Sequence, residues 1–131
     1  MAKPAAKLGD KVVALDTHVV VLPSPAGPVP TPVAMPYDGR LLDGLSTTVC
    51  IDDRPAATKG SGAINLPAHL PAGGPFQRPP RNRATVRSGS SSVYIDDEPA
   101  ARASDAATTC SDPVDSDVGI VRAESTVVIG D

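Results

Sequence analysis

The side chains best suited to hold a metal ion are few in this sequence: His18, His69, Cys50 and Cys110, with Met35 as a thioether. Imidazole and thiolate together suit Zn²⁺, which takes them tetrahedrally. No CxxC or HxxxH spacing gathers any two of them locally. A site made from them must therefore be assembled by the fold. The two cysteines offer one disulfide as the other use, but a cytosolic chain more commonly commits cysteine to metal.

The elements that must position these residues are read from an internal repeat. Ser46-Thr47-Thr48-Val49-Cys50-Ile51-Asp52-Asp53-Arg54-Pro55-Ala56-Ala57 aligns without a gap on Ser90-Ser91-Ser92-Val93-Tyr94-Ile95-Asp96-Asp97-Glu98-Pro99-Ala100-Ala101, a shift of 44 residues. A third copy is split across the termini. Ser125-Thr126-Val127-Val128-Ile129-Gly130-Asp131 matches the strand half, and Pro4-Ala5-Ala6-Lys7-Leu8-Gly9-Asp10 matches the second half. A repeat that starts in its own middle is closed, so the termini are expected to meet around a pseudo-threefold axis. Residues two apart on a strand face the same way. Val49/Ile51, Val93/Ile95 and Val127/Ile129 are therefore expected to face inward, with Cys50, Tyr94 and Val128 on the opposite face.

The repeat also supplies a register for the metal-binding side chains. His18 lies 14 residues after Pro4, His69 lies 14 after Pro55, and Cys110 lies 11 after Pro99. Equivalent positions on a closed threefold body converge on its axis, so His18, His69 and Cys110 are expected to share one zinc ion. The fourth position stays open between Met35, Cys50 and water. Strand alternation sets Cys50 on the wrong face, and a thioether is a poor zinc donor that usually packs.

Composition narrows the fold. Fifteen prolines and 11 glycines run through the chain, and the apolar residues between them are mostly Val, Ile and Leu in short runs. Such runs read as strands. Residues 1–131 are read as one all-β domain: a small, closed, conical β fold with pseudo-threefold repeats and long Pro/Gly-rich loops. Residues 23–32 read as extended, polyproline-like loop, and residues 66–82 as a second loop. With Tyr37, Phe76 and Tyr94 as its whole aromatic set, the core is small, and a staple is expected.

Charge and hydropathy exclude some function classes. Twelve basic and 15 acidic residues give a net charge of −3, which argues against a phosphate-tracking nucleic-acid binder. Three aromatic side chains are too few for a base-stacking platform. No run of 18 apolar residues reads as a membrane span. The first ten residues are polar and carry no secretory leader, so the chain is expected to be made in the cytoplasm and exported only as part of a larger particle.

The repeat carries a resemblance. Pro4-Ala5-Ala6-Lys7-Leu8-Gly9-Asp10, Pro55-Ala56-Ala57-Thr58 and Pro99-Ala100-Ala101-Arg102, each with a V-x-I-[DG]-D strand end before it, resemble the PAAR-repeat family over essentially the whole chain. The resemblance implies a conical β tip with zinc near its apex, bound by three histidines and a cysteine. It implies a seat on the trimeric spike of a contractile injection machine, a type VI secretion system or a phage-tail-like particle, with one tip per trimer. Carried over by position, His18, His69 and Cys110 match ligand positions, and the remaining family histidine falls where this chain has Met35. No effector extension is expected beyond Asp131.

Three other readings start from single features. Zinc with an open position would suit a hydrolase, with Asp16, two residues before His18, as the nearest carboxylate; no catalytic residue is assigned. The stretch Arg78-Pro79-Pro80-Arg81-Asn82-Arg83 would suit an adaptor that recruits effectors. Asp52-Asp53 and Asp96-Asp97 are read as strand-end turn residues in preference to paired catalytic carboxylates or a calcium site.

Overall fold

A computed structural model describes residues 2–131. It is all-β, and no helix occurs among the described residues. Six strands close into an antiparallel barrel: β2 (Lys11–Leu22), β3 (Val29–Asp43), β6 (Gly62–Asn65), β7 (Arg83–Val86), β10 (Ala106–Thr109) and β11 (Ser116–Arg122). The order around the barrel is β10-β11-β2-β3-β6-β7, so each repeat contributes one hairpin. Closure leaves no open sheet edge along the paired lengths.

Three two-stranded ribbons sit at one end. They pair β4 (Cys50–Ile51) with β5 (Arg54–Pro55), β8 (Tyr94–Ile95) with β9 (Glu98–Pro99), and β1 (Lys3–Pro4) with β12 (Val128–Ile129). In the third ribbon Lys3 lies opposite Ile129, so the first residues complete the last strand as the split repeat requires. In the other two, the central residues Asp52, Asp53, Asp96 and Asp97 all have positive φ. That is the two-residue type I′ hairpin, a conformation Asp tolerates better than most residues. The aspartate pairs are turn residues.

The Pro-Ala-Ala segments close a ring. The Ala6 N–H donates to the Ala101 carbonyl (2.9 Å), Ala57 to Ala6 (3.0 Å) and Ala101 to Ala57 (3.0 Å). A second ring runs from Leu8 to Pro55 (2.9 Å), from Lys59 to Pro99 (2.8 Å) and from Ala103 to Pro4 (2.9 Å). Six backbone donors in a crowded centre are thereby satisfied without a conventional sheet. Alanine suits these positions because the three segments meet where a larger side chain would collide: all six alanines of the ring are essentially buried.

The ribbon turns clasp neighbouring repeats in the same cyclic sense. Ser46 and Thr48 hydroxyls donate to the Asp96 carboxylate (2.6 and 2.5 Å). The Thr126 N–H donates to Asp52 (2.8 Å), and its hydroxyl does so too. The Ser90 hydroxyl donates to the Gly130 carbonyl (2.8 Å) and Ser92 to that of Asp131.

Two apolar clusters flank the ring. Ile51, Ile95 and Ile129 pack with Ala5, Ala56 and Ala100 on the ribbon side. Val12, Tyr37, Leu41, Val86 and Val121 fill the barrel on the other. The inward set expected from the repeat is corrected here: the isoleucines are buried, but Val93 and Val127 are about a third exposed at 36% and 37%, and only Val49 packs on the cluster. Val93 and Val127 lie just before their ribbon strands, two residues back from the buried isoleucines, where the packing around Ala5, Ala56 and Ala100 covers them less. Cys50, Tyr94 and Val128 face solvent as expected.

The expected loop over residues 23–32 is also corrected at its end. Pro30 and Pro32 belong to β3, opposite Val21 and Val19. On β2 the odd residues turn their backbone groups away from β3: Val21 N–H donates to the Pro75 carbonyl and Val19 accepts from Gln77. Their partners on β3 therefore need no N–H toward β2, and proline fits there without costing a ladder bond. Residues 66–82 hold no named strand, only an isolated bridge from Phe76 to Val20.

Candidate metal centre

Strand β2 lengthens the barrel beyond the ring and carries Asp16 and His18. Two apart on one strand, they share the inward face, and both are fully buried at 0% and 1% exposure. His69 comes from the connection between β6 and β7. Asn82, held in the left-handed region at φ 58°, fixes that connection: its Oδ1 accepts from the His69 N–H (2.8 Å) and from Asn65 Nδ2 (3.2 Å). Cys110 follows β10, its N–H donating to the Arg83 carbonyl (3.2 Å).

These four side chains converge. Asp16 Oδ2 lies 3.1 Å from His69 Nε2, 3.5 Å from Cys110 Sγ and 3.8 Å from His18 Nε2, and Sγ lies 3.8 Å from His18 Nε2. All the donor atoms fall within 4.8 Å of one another. A tetrahedral Zn²⁺ with its usual bond lengths separates its ligand atoms by roughly 3.3–3.8 Å. The donors already stand close to that spacing, so the group can hold a metal ion.

The electrostatics point the same way. Asp16 has no exposed surface and no lysine or arginine partner among the described residues; the basic side chains beside its Oδ2 are His18 and His69. Its Oδ1 accepts a hydrogen bond from the Thr109 hydroxyl (2.5 Å), which leaves Oδ2 turned to the cluster. Burial and then the neighbouring His69 push the His18 pKa down, outweighing Asp112 and Asp16, so His18 is neutral at neutral pH. Burial and then the Asp16 charge push the Cys110 thiol up. Two histidines and a thiol give this buried carboxyl no permanently charged partner, and a cation among these four donors supplies one.

The surroundings orient the ligands. His18 Nδ1 is buried without a hydrogen-bond partner and sits 3.7 Å from Asp112 Oδ2. With Nε2 turned to the cluster, Nδ1 faces a carboxylate, the arrangement that fixes the tautomer of a metal-binding histidine. Burial pushes Asp112 up, but the Val19 N–H and the Arg78 guanidinium together hold it below its ordinary range. Tyr37 caps the inner side: its ring lies 6.2 Å from that of His69, and its hydroxyl donates to the Ala63 carbonyl (3.1 Å). A cleft of about 410 Å³ borders the outer side, between His18, Cys110 and the Arg78–Asp112 pair.

The three residues placed by repeat register, His18, His69 and Cys110, are thus brought together. The fourth donor in the group is Asp16. Met35 is buried on the same inward face, directly across the β2–β3 ladder from Asp16. Cys50 is exposed among the ribbons and is a free thiol, as is the buried Cys110. The signal that could have found Asp16 was its i, i+2 spacing from His18 within a strand. The stretch over residues 78–83 is engaged within the chain. Arg78 pairs with Asp112 (2.6 Å), Arg81 with Asp115 and Arg83 with Asp43.

Comparison of the sequence with protein-family models and with curated proteins finds no match.

Proposed function

We propose that this protein is a non-catalytic tip that caps the end of a threefold-symmetric spike in a contractile injection particle, with a zinc ion held by Asp16, His18, His69 and Cys110. The observation that carries this reading is the closed ring of equivalent hydrogen bonds among Ala6, Ala57 and Ala101. One chain that imitates threefold symmetry at its centre offers each subunit of a trimer a similar surface. A single asymmetric chain would match only one subunit well. The ribbons carry exposed apolar side chains at equivalent positions, Tyr94 and Val128, which suits a docking end.

The metal has a mechanical role in this reading. It joins β2, the connection bearing His69 and the segment after β10, one from each hairpin of the barrel, where the apolar core has ended. Four protein donors fill a tetrahedral shell and leave no position for a substrate water. The fourth donor is Asp16, with Met35 packing beside it. The chain is made in the cytoplasm and leaves it on the particle.

The test is stoichiometry. Native mass spectrometry of this protein mixed with its cognate trimeric spike protein should show one tip per trimer. Three tips per trimer, or no complex, refutes the reading.

A further inference from the structure

One flank of the barrel gathers positive charge that the fold does not require. Arg122 on β11 lies directly opposite Lys11 on β2, and Lys11 lies directly opposite Arg40 on β3. Three cations therefore stand in a row across three adjacent strands, about 10 Å long at the usual strand spacing of ~4.8 Å. Like charges directly opposite each other destabilise a sheet. The cluster is the more notable in a chain whose net charge is −3.

The row lines a cleft of about 920 Å³, to which Arg54 adds a fourth cation. Among the described residues Arg40, Arg54 and Arg122 have no carboxylate partner. Arg40 Nη1 reaches only the Gly9 carbonyl (3.3 Å) and Arg54 Nη1 only that of Leu8 (3.4 Å). Lys11 makes one long, exposed contact with Asp38 (3.4 Å). Of the acidic residues of the cleft, Asp10 pairs with Lys7 (3.0 Å), while Asp52, which accepts from Thr126, and Glu124 stand against the four cations.

The repeat provides an internal control. By the hydrogen-bond pattern of the ring, Lys11, Arg40 and Arg54 correspond in the next repeat to Gly62, Thr85 and Glu98. At that seam Gly62 faces Asp43. At the third seam the same pattern puts Ala106 and Ile120 in the places of Lys11 and Arg40, so the row of three cations distinguishes one flank.

We infer that this flank binds an acidic polypeptide segment, its carboxylates laid along Arg122, Lys11 and Arg40. Arginine forks take carboxylates bidentately, and guanidiniums tied only to carbonyls retain their full charge for a ligand. Nucleic acid fits less well: Asp10, Asp52 and Glu124 interrupt the cleft, and no aromatic side chain lines it for base stacking. One such cleft per chain would give a threefold tip a single attachment point. This inference stands on the charge pattern and does not depend on the spike.

The experiment measures binding of a fluorescein-labelled oligoglutamate peptide to the full chain by anisotropy, at rising salt. Binding should weaken with salt, and R40E/R122E should weaken it by about tenfold or more. R87E makes a charge reversal at the third seam and should leave binding unchanged. R122E sets a carboxylate opposite Lys11, so its melting temperature should hold or rise; R40Q/R122Q supplies a second variant without charge reversal, with the same expected loss. No peptide binding, equal loss in R87E, or tighter binding of a short single-stranded oligonucleotide through the same arginines overturns the inference.

Discussion

Asp16 Oδ2 lies 3.1 Å from His69 Nε2, although 53 residues separate them and neither belongs to the same hairpin. One oxygen of a fully buried carboxylate is the meeting point of two imidazoles and a thiol. The first predictions follow from that oxygen.

Asp16→Asn should weaken metal binding by more than about 100-fold, since changes to mere supporting groups already cost 10- to 100-fold. Met35→Leu should leave affinity near the wild-type value, because a volume-conserving swap keeps the packing. Competition with a chromophoric chelator measures both. In excess chelator most of that difference should vanish. There Asp16→Asn disturbs only the hydrogen bonds that Asp16 accepts from Thr109 and Cys110, and its melting temperature should fall by less than it does with metal present.

His69→Ala should lower the melting temperature markedly when metal is present, because forming the site is coupled to folding in small metal domains. With chelator the difference from wild type should shrink. Thermal unfolding in paired samples checks it, and an equal loss in both would make His69 a packing residue.

The two cysteines should differ in reactivity. Cys50 is exposed and Cys110 is buried, with its thiol pushed up by burial and by Asp16, and the thiolate is the reactive form. Mass spectrometry after maleimide treatment should show one adduct on the native protein, at Cys50, and two after unfolding.

Acid should loosen the ribbon end. The Thr126 and Ser46 hydroxyls, with further donors from Thr126 and Thr48, hold the Asp52 and Asp96 carboxyls below their ordinary range. A carboxyl whose folded pKa is depressed contributes stability that is present above its unfolded pKa. That stability is lost as pH falls through the folded value. Amide protection factors in the ribbons, intrinsic exchange rates divided by those observed at each pH, should therefore fall once the pH drops below the ordinary carboxylate range. Asp96→Asn should remove much of that pH dependence at its own ribbon.

Gly39→Ala should destabilise the barrel by about 1–3 kcal/mol, the usual cost of overpacking. A Cβ there would stand 2.6 Å from Tyr37 Cε1 and 2.7 Å from its hydroxyl oxygen. A lower denaturant midpoint with an unchanged slope would register it.

The repeat made much of this protein legible in one dimension. Ser46 to Ala57 and Ser90 to Ala101 share their turn aspartates and alanines because each copy meets the same steric demands. The split third copy likewise required the pairing of Lys3 with Ile129. Counting from each proline was enough to bring His18, His69 and Cys110 together. Repetition could not reveal what breaks the symmetry. Asp16 has no counterpart in the other repeats, so only the closed barrel shows that its carboxyl group points into the site without a lysine or arginine partner. The prolines of β3 look like loop residues until β2 is seen to turn its odd backbone groups the other way. Arg122, Lys11 and Arg40 are scattered along the chain, and only strand register aligns them. Local sterics act between neighbours in sequence and leave their mark there. Burial and charge act between neighbours in space, which the chain acquires only by folding.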